Sequence, residues 1–140
     1  MITKIELELE VLDFKPKIEI KFNSETLFKG VAQTFFSFSK QSKIGLLKSS
    51  NCVEIIRYGK NYKLDQSDTK DQAVVIKNIK LNNMTFPHIA MHGKFVTDKN
   101  ETIKTNYLGH NGVYKFSFGC PVETWIVNSK LRESVNFYIA

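Results

Sequence analysis

The sequence predicts an all-β fold, a single β-sandwich over residues 1–140, jelly-roll-like, with nine or ten short antiparallel strands. Three observations lead there. Apolar residues recur at a period of two in one short run after another. Clusters of Asn, Gly, Pro, Ser and Asp break those runs about every 8–12 residues, and no stretch carries a sustained 3.6-residue apolar stripe with caps.

Taken in order, Ile5, Leu7, Leu9 and Val11 alternate with Glu6, Glu8 and Glu10, which marks a strand with one dry face and one wet face. Ile18, Ile20 and Phe22 repeat the pattern against Lys17, Glu19 and Lys21, and Asp13 to Pro16 separates the two runs. Asn23 to Glu25 make a turn, and Thr26 to Lys29 a short strand ending at Gly30. Residues 33–39 carry Phe35, Phe36 and Phe38, so rings point to both sides, as in a central strand. Residues 43–48 and 51–58 follow, divided by Ser49 and Ser50, and the second run holds the β-branched pair Ile55 and Ile56 before Gly59. The polar stretch 64–72 feeds AVVIKNIKL, a long strand stopped by Asn82 and Asn83. Residues 84–96 supply one or two strands around Pro87, and 97–102 an exposed turn. Residues 107–113 form a glycine-rich connection, after which Tyr114, Phe116 and Phe118 alternate with Lys115 and Ser117. VETWIVNSK reads as a strand or a single helical turn, and residues 131–139 as a last strand.

Composition bounds the function. A chain of 140 residues with 42% hydrophobic content, eleven Phe and only 24% charged residues fits one packed domain and excludes disorder. The formal charge of +6 invites nucleic acid, but only Arg57 and Arg132 are arginine, and the lysines are scattered singly in solvent-facing places. A solvated surface explains that charge better than a nucleic-acid partner. No apolar stretch approaches the ~20 residues that span a bilayer, and MITKIELELE lacks the continuous hydrophobic run of a signal peptide, so the expectation is a cytosolic chain without a membrane partner. Cys52 and Cys120 fit that compartment as reduced, buried side chains and are too few to hold zinc. The sequons at Asn83 and Asn100 are chance matches in an Asn-rich chain.

Few side chains point to chemistry. His88 and His92 on a continuous strand would stand about 13 Å apart, too far to share one metal, and ordinary polar or interfacial histidines are the plainer account of these two and of His110. No nucleophile elbow, HExxH, Walker or dinucleotide pattern is present, and the expectation is a protein that is not an enzyme and has no resident cofactor. Asp65, Asp68 and Asp71 share one loop and offer hard oxygens to Ca²⁺, without the EF-hand glycine or terminal Glu and with Lys70 among them, so a solvated acidic turn is the plainer account. Tyr58, Tyr62, Tyr107 and Trp125 fall at or beside turns, where aromatic rings can stack on sugars while Asn and Asp bond hydroxyls; the same rings can equally pack at the core edge. Together with His110 and Asn111 these are the candidate contacts to a ligand or partner, carried on segments 58–72 and 107–112.

Two segments resemble known families. YGKNYKLDQSDTKDQAVVIKNIKLNNMTF resembles the polar loop, strand and turn of calcium-dependent xylan-binding modules. YLGHNGVYKFSFGCPVETWIV resembles the C-terminal part of small β-sandwich proteins encoded by tailed bacteriophages. Together they cover roughly the second half of the chain. The phage resemblance implies a non-enzymatic virion component, whether capsid decoration, neck, tail or fibre, assembled in the host cytoplasm with other virion proteins as partners and compatible with an oligomer. The xylan-module resemblance implies the alternative, a carbohydrate-binding module that stacks a glycan on loop aromatics, with calcium on Asp65, Asp68 or Asp71. Glycan affinity lost on changing Tyr62 or Trp125 would favour the second.

Overall fold

The computed structural model describes residues 2–12, 15–41, 50–59, 73–119 and 122–129, and these form a β-sandwich. Its strands are β1 (Ile2–Val11), β2 (Lys17–Phe22), β3 (Glu25–Val31), β4 (Phe35–Gln41), β5 (Asn51–Tyr58), β6 (Val74–Leu81), β7 (Lys94–Thr97), β8 (Thr102–Ile103), β9 (Tyr107–Leu108) and β10 (Gly112–Phe118). They lie in a four-stranded sheet ordered β4-β1-β6-β9 and a six-stranded sheet ordered β3-β2-β5-β10-β7-β8, with antiparallel pairing throughout. Among the described strands only β2–β3 and β7–β8 are consecutive and paired with each other; every other pair of successive described strands lies in different sheets.

The period-two patterns fix which faces meet. Ile5, Leu7 and Leu9 of β1 are buried against Ile18, Ile20 and Phe22 of β2 and Tyr114, Phe116 and Phe118 of β10 in one core, while Glu8 and Glu10 stay in water. β5 turns Asn51, Val53, Ile55 and Arg57 inward, so a guanidinium sits at the inner face with 1% exposure, and its NH1 donates to the Tyr58 carbonyl at 3.1 Å. Tyr114 is wholly buried and donates its hydroxyl to the Ala90 carbonyl at 2.6 Å. That bond ties the 3₁₀ turn Ile89–His92 to β10, and Gly93 follows because a Cβ there would stand 2.2 Å from the Tyr114 ring.

Several expectations are corrected. Among the described residues β4 is at the edge of its sheet, paired only with β1: Phe36 and Phe38 turn inward while Phe35 is 53% exposed, so rings on both sides do not mean two covered faces. Residues 84–96 form a bridge at Met84, a turn, the 3₁₀ turn and then β7, because Pro87 and the left-handed His88 (φ 60°) interrupt any strand there. His88 therefore precedes, and His92 ends, a helical turn. Tyr107 and Leu108 belong to a two-residue strand against Val75 and Val74 rather than to the connection alone. Residues 122–129 are a helix, α1, about two turns long. Val122, Ile126 and Ser129 are buried and Trp125 half-buried, which is an i, i+3, i+4, i+7 stripe too short to stand out beside the β-branched Thr124 and Val127. Cys52 is half-buried with its thiol free, while Cys120 and the strands expected at 43–48 and 131–139 lie outside the described residues.

Candidate functional site

Antiparallel pairing sorts the connections between two ends of the sandwich. Val11 of β1 and Leu108 of β9 both pair with Val74 at the start of β6. In the other sheet Val31 pairs with Lys17 and Lys17 with Tyr58, while Gly112 stands between Arg57 and Thr97. The odd-numbered strands thus finish, and the even-numbered strands begin, at one common end. Tyr58, Tyr107, His110 and Asn111 are all there. So are Gly59 and Ala73, which bound the stretch carrying Tyr62, Asp65, Asp68 and Asp71; that stretch lies outside the described residues.

Backbone hydrogen bonds splice the loops at this end. Leu12 N–H donates to the Ala73 carbonyl at 2.9 Å, Ala32 to Pro16 at 2.8 Å, and Asp98 to Asn111 at 2.8 Å. The 98–101 turn closes through Thr97 N–H to Glu101 at 2.8 Å and Asn100 N–H to Thr97 at 2.9 Å, with Asn100 left-handed at φ 63°. Gly112 is required by space: a Cβ there would stand 2.3 Å from the Val96 carbonyl oxygen. The GHNG sequence is therefore a tight passage into β10 that leaves His110 exposed and Asn111 half-buried beside it.

The two aromatic candidates at this end differ in setting. Tyr58 is on the outward face of β5, half-buried, with the Lys29 ammonium 5.5 Å from its ring centroid. Tyr107 is 40% exposed on the edge strand β9, its N–H donating to Thr105 Oγ1 at 3.0 Å, and the neighbouring Asn106 side chain anchors to the Ile76 carbonyl at 3.0 Å. Trp125 is at the opposite end. Its indole lies among Phe116, Phe86 and Phe118 with centroids 5.7, 6.0 and 6.2 Å away, and its edge rests on Gly119, where a Cβ would come within 3.0 Å. Sequence reasoning did not single out Phe35, the exposed ring of β4 that stands across from Glu8.

Among the described residues no three His, Cys, Asp or Glu side chains come together as a metal site. Burial pushes the Cys52 thiol above its ordinary range, the opposite of an activated nucleophile. No helix among the described residues is long and apolar enough to cross a membrane. What the loop end offers is rings, an imidazole, an amide and polar backbone, which suits recognition of a hydroxyl-rich surface.

No family model matches the chain, and no curated protein does. Two solved structures share the fold. One is the module vCBM60 in complex with galactobiose, at 9% identity and a TM-score of 0.53, covering 81% of this chain and 96% of that one. The other is a selenomethionine form of vCBM60, described under circular permutation as a link between two families of calcium-dependent carbohydrate-binding modules; identity is 10%, TM-score 0.55, and coverage 81% and 89%. At such identity the likeness shows the fold, and it gives no support to the tailed-phage resemblance.

Proposed function

We propose that this chain is a non-catalytic carbohydrate-binding module whose spliced loop end holds a saccharide. The observation that carries the reading is the convergence of Tyr58, Tyr107, His110 and Asn111 at one end of a sandwich that shares its fold with two vCBM60 structures. The apolar face of the exposed Tyr107 ring stacks on a sugar ring, while Tyr58, with the Lys29 ammonium over its ring, adds a polar edge at the same end. The Asn111 amide and the His110 imidazole bond hydroxyls, and because the backbone beside them is already tied to Asp98, little ordering entropy is lost on binding.

Calcium enters this proposal through the chemistry of the donor set. Asp65, Asp68 and Asp71 bring three hard-oxygen carboxylates onto the stretch that leaves and re-enters the same end, and such oxygens suit Ca²⁺. The ion, where bound, supplies a positive centre for hydroxyl oxygens. The assembly role implied by the phage resemblance rests on sequence pattern alone, and the shared fold favours sugar binding over it.

A glycan array probed with the intact chain, with calcium and with a chelator, tests the reading. The expected result is retention of a defined set of oligosaccharides, and titration calorimetry on one of them then shows Tyr107→Ala binding roughly tenfold more weakly, the loss of one stacked ring. An empty array under both conditions would overturn the proposal. Tight binding that neither Tyr107→Ala nor Asn111→Ala weakens would place the sugar elsewhere.

A further inference from the structure

A second recognition surface lies on the outer face of the six-stranded sheet, away from the loop end. There His92, Lys94, Val96, Thr102, Lys115 and Ser117 enclose a concavity of about 350 Å³, within the range of small-molecule sites. The strand register explains its charge. Lys21, Lys29 and Lys80 each stand across from a carboxylate, namely Glu54, Glu19 and Glu6, whereas Lys94 of β7 stands directly across from Lys115 of β10. Like charges in opposed cross-strand positions disfavour the sheet, so this pair runs against the pairing that Lys21, Lys29 and Lys80 follow.

The surroundings do not neutralise the pair. Lys4 and Lys77 close ion pairs with Glu6 and Glu10 at 3.1 and 2.9 Å, but among the described residues neither Lys94 nor Lys115 has such a partner. Lys115 shares its one cross-strand carboxylate, Glu54, with Lys21. The exposed Lys104 follows β8 on the same flank, and the exposed Thr102 and Ser117 set hydroxyls beside the ammonium groups. No Phe, Tyr or Trp side chain is in the lining; its one ring is the His92 imidazole, and the two ammonium groups dominate the surface.

We propose that this concavity is a second binding site, taking the anionic group of a small ligand, a sulfate or carboxylate carried on a saccharide. Two ammonium groups held side by side on adjacent strands bridge the oxygens of one oxyanion through charge-assisted bonds, and the hydroxyls complete the set. Only the saccharide part rests on the function proposed above; the oxyanion part stands on the register and the concavity.

Titration calorimetry on the intact chain, with sulfated galactobiose, digalacturonate, neutral galactobiose and sodium sulfate as probes, separates the alternatives. The expected result is that the charged saccharides bind more tightly than galactobiose, that the advantage shrinks as salt rises, and that Lys94→Gln or Lys115→Gln weakens them about tenfold while leaving the neutral sugar unchanged. Lys94→Glu should abolish the advantage, and it gives Lys115 a partner, so loss of folding does not account for that result. Sodium sulfate binding as tightly as the sulfated sugar would overturn the saccharide part. Equal affinity for charged and neutral sugars, or an advantage that survives Lys94→Gln, would overturn the site. Failure of the loop-end reading shows instead as absent galactobiose-type binding with the charge advantage intact.

Discussion

Replacing Trp125 by Ala separates packing from sugar stacking. The indole is half-buried and meets Phe116 edge-on at 5.7 Å, with Phe86 and Phe118 at 6.0 and 6.2 Å. A half-buried indole removes roughly 100–150 Å² of apolar surface from water, about 3 kcal/mol at 25 cal/mol per Å². Edge-to-face contacts add about 0.5–1.5 kcal/mol each, and partial collapse of α1 onto β10 recovers some of the loss, so a net cost of about 3 kcal/mol is expected. Urea unfolding followed by far-UV circular dichroism is the suitable assay, because the substitution deletes the chain's one tryptophan. With a slope of about 1.5–2 kcal/mol per molar urea, the midpoint should fall by roughly 1.5–2 M. Folded Trp125→Ala protein should keep its glycan affinity. An unchanged midpoint together with lost sugar binding would refute the packing role and return Trp125 to the ligand surface.

Two further substitutions probe the frame that holds the loop end. Tyr114→Phe deletes the donor to the buried Ala90 carbonyl and should cost about 1–3 kcal/mol by thermal or urea unfolding. Burial holds the Tyr114 hydroxyl un-ionised in the fold, well above its ordinary value, so the unfolded chain gives up this proton first; stability is full below pH ~10 and falls above it by up to about 1.4 kcal/mol per pH unit. Tyr114→Phe should flatten that alkaline decline, and an identical decline in both proteins would contradict the assignment. Gly112→Ala drives a Cβ to 2.3 Å from the Val96 carbonyl oxygen, a backbone atom with no room to yield, and should cost 2 kcal/mol or more, about the upper range for overpacking. A thermal midpoint within a degree of the parent would show that β7 and β10 yield more easily than their packing implies.

What the sequence discloses and what it hides follows from the range of the forces involved. Period-two burial is local, so Ile5, Leu7 and Leu9, or Phe116 and Phe118, announce their strands. The exposure of Phe35 is not local, because which face of β4 meets the core, with Phe36 and Phe38 on it, is decided by how the two sheets stack. The segment 122–129 reads from sequence only as a strand or a single helical turn for a related reason: two turns give Val122, Trp125, Ile126 and Ser129 only one repeat of their stripe, and Phe86, which packs on Trp125, comes from a distant part of the chain. At the loop end, residue type together with position at turns marks Tyr58, Tyr107, His110 and Asn111. Their gathering at one end, and the separation of Trp125 to the other, come from strand order. The Lys94–Lys115 pair depends likewise on register, which couples residues 21 positions apart.

The most direct test of sugar recognition at the loop end is an amide-resolved NMR titration of the intact chain with the oligosaccharide best retained on the array, in calcium-containing buffer. Saturable shifts are expected at Gly59, Tyr107, His110, Asn111 and Gly112, with Trp125 and the α1 amides unmoved. Shifts confined to α1, to the outer face around Phe35, or absent at saturating sugar would contradict recognition at that end.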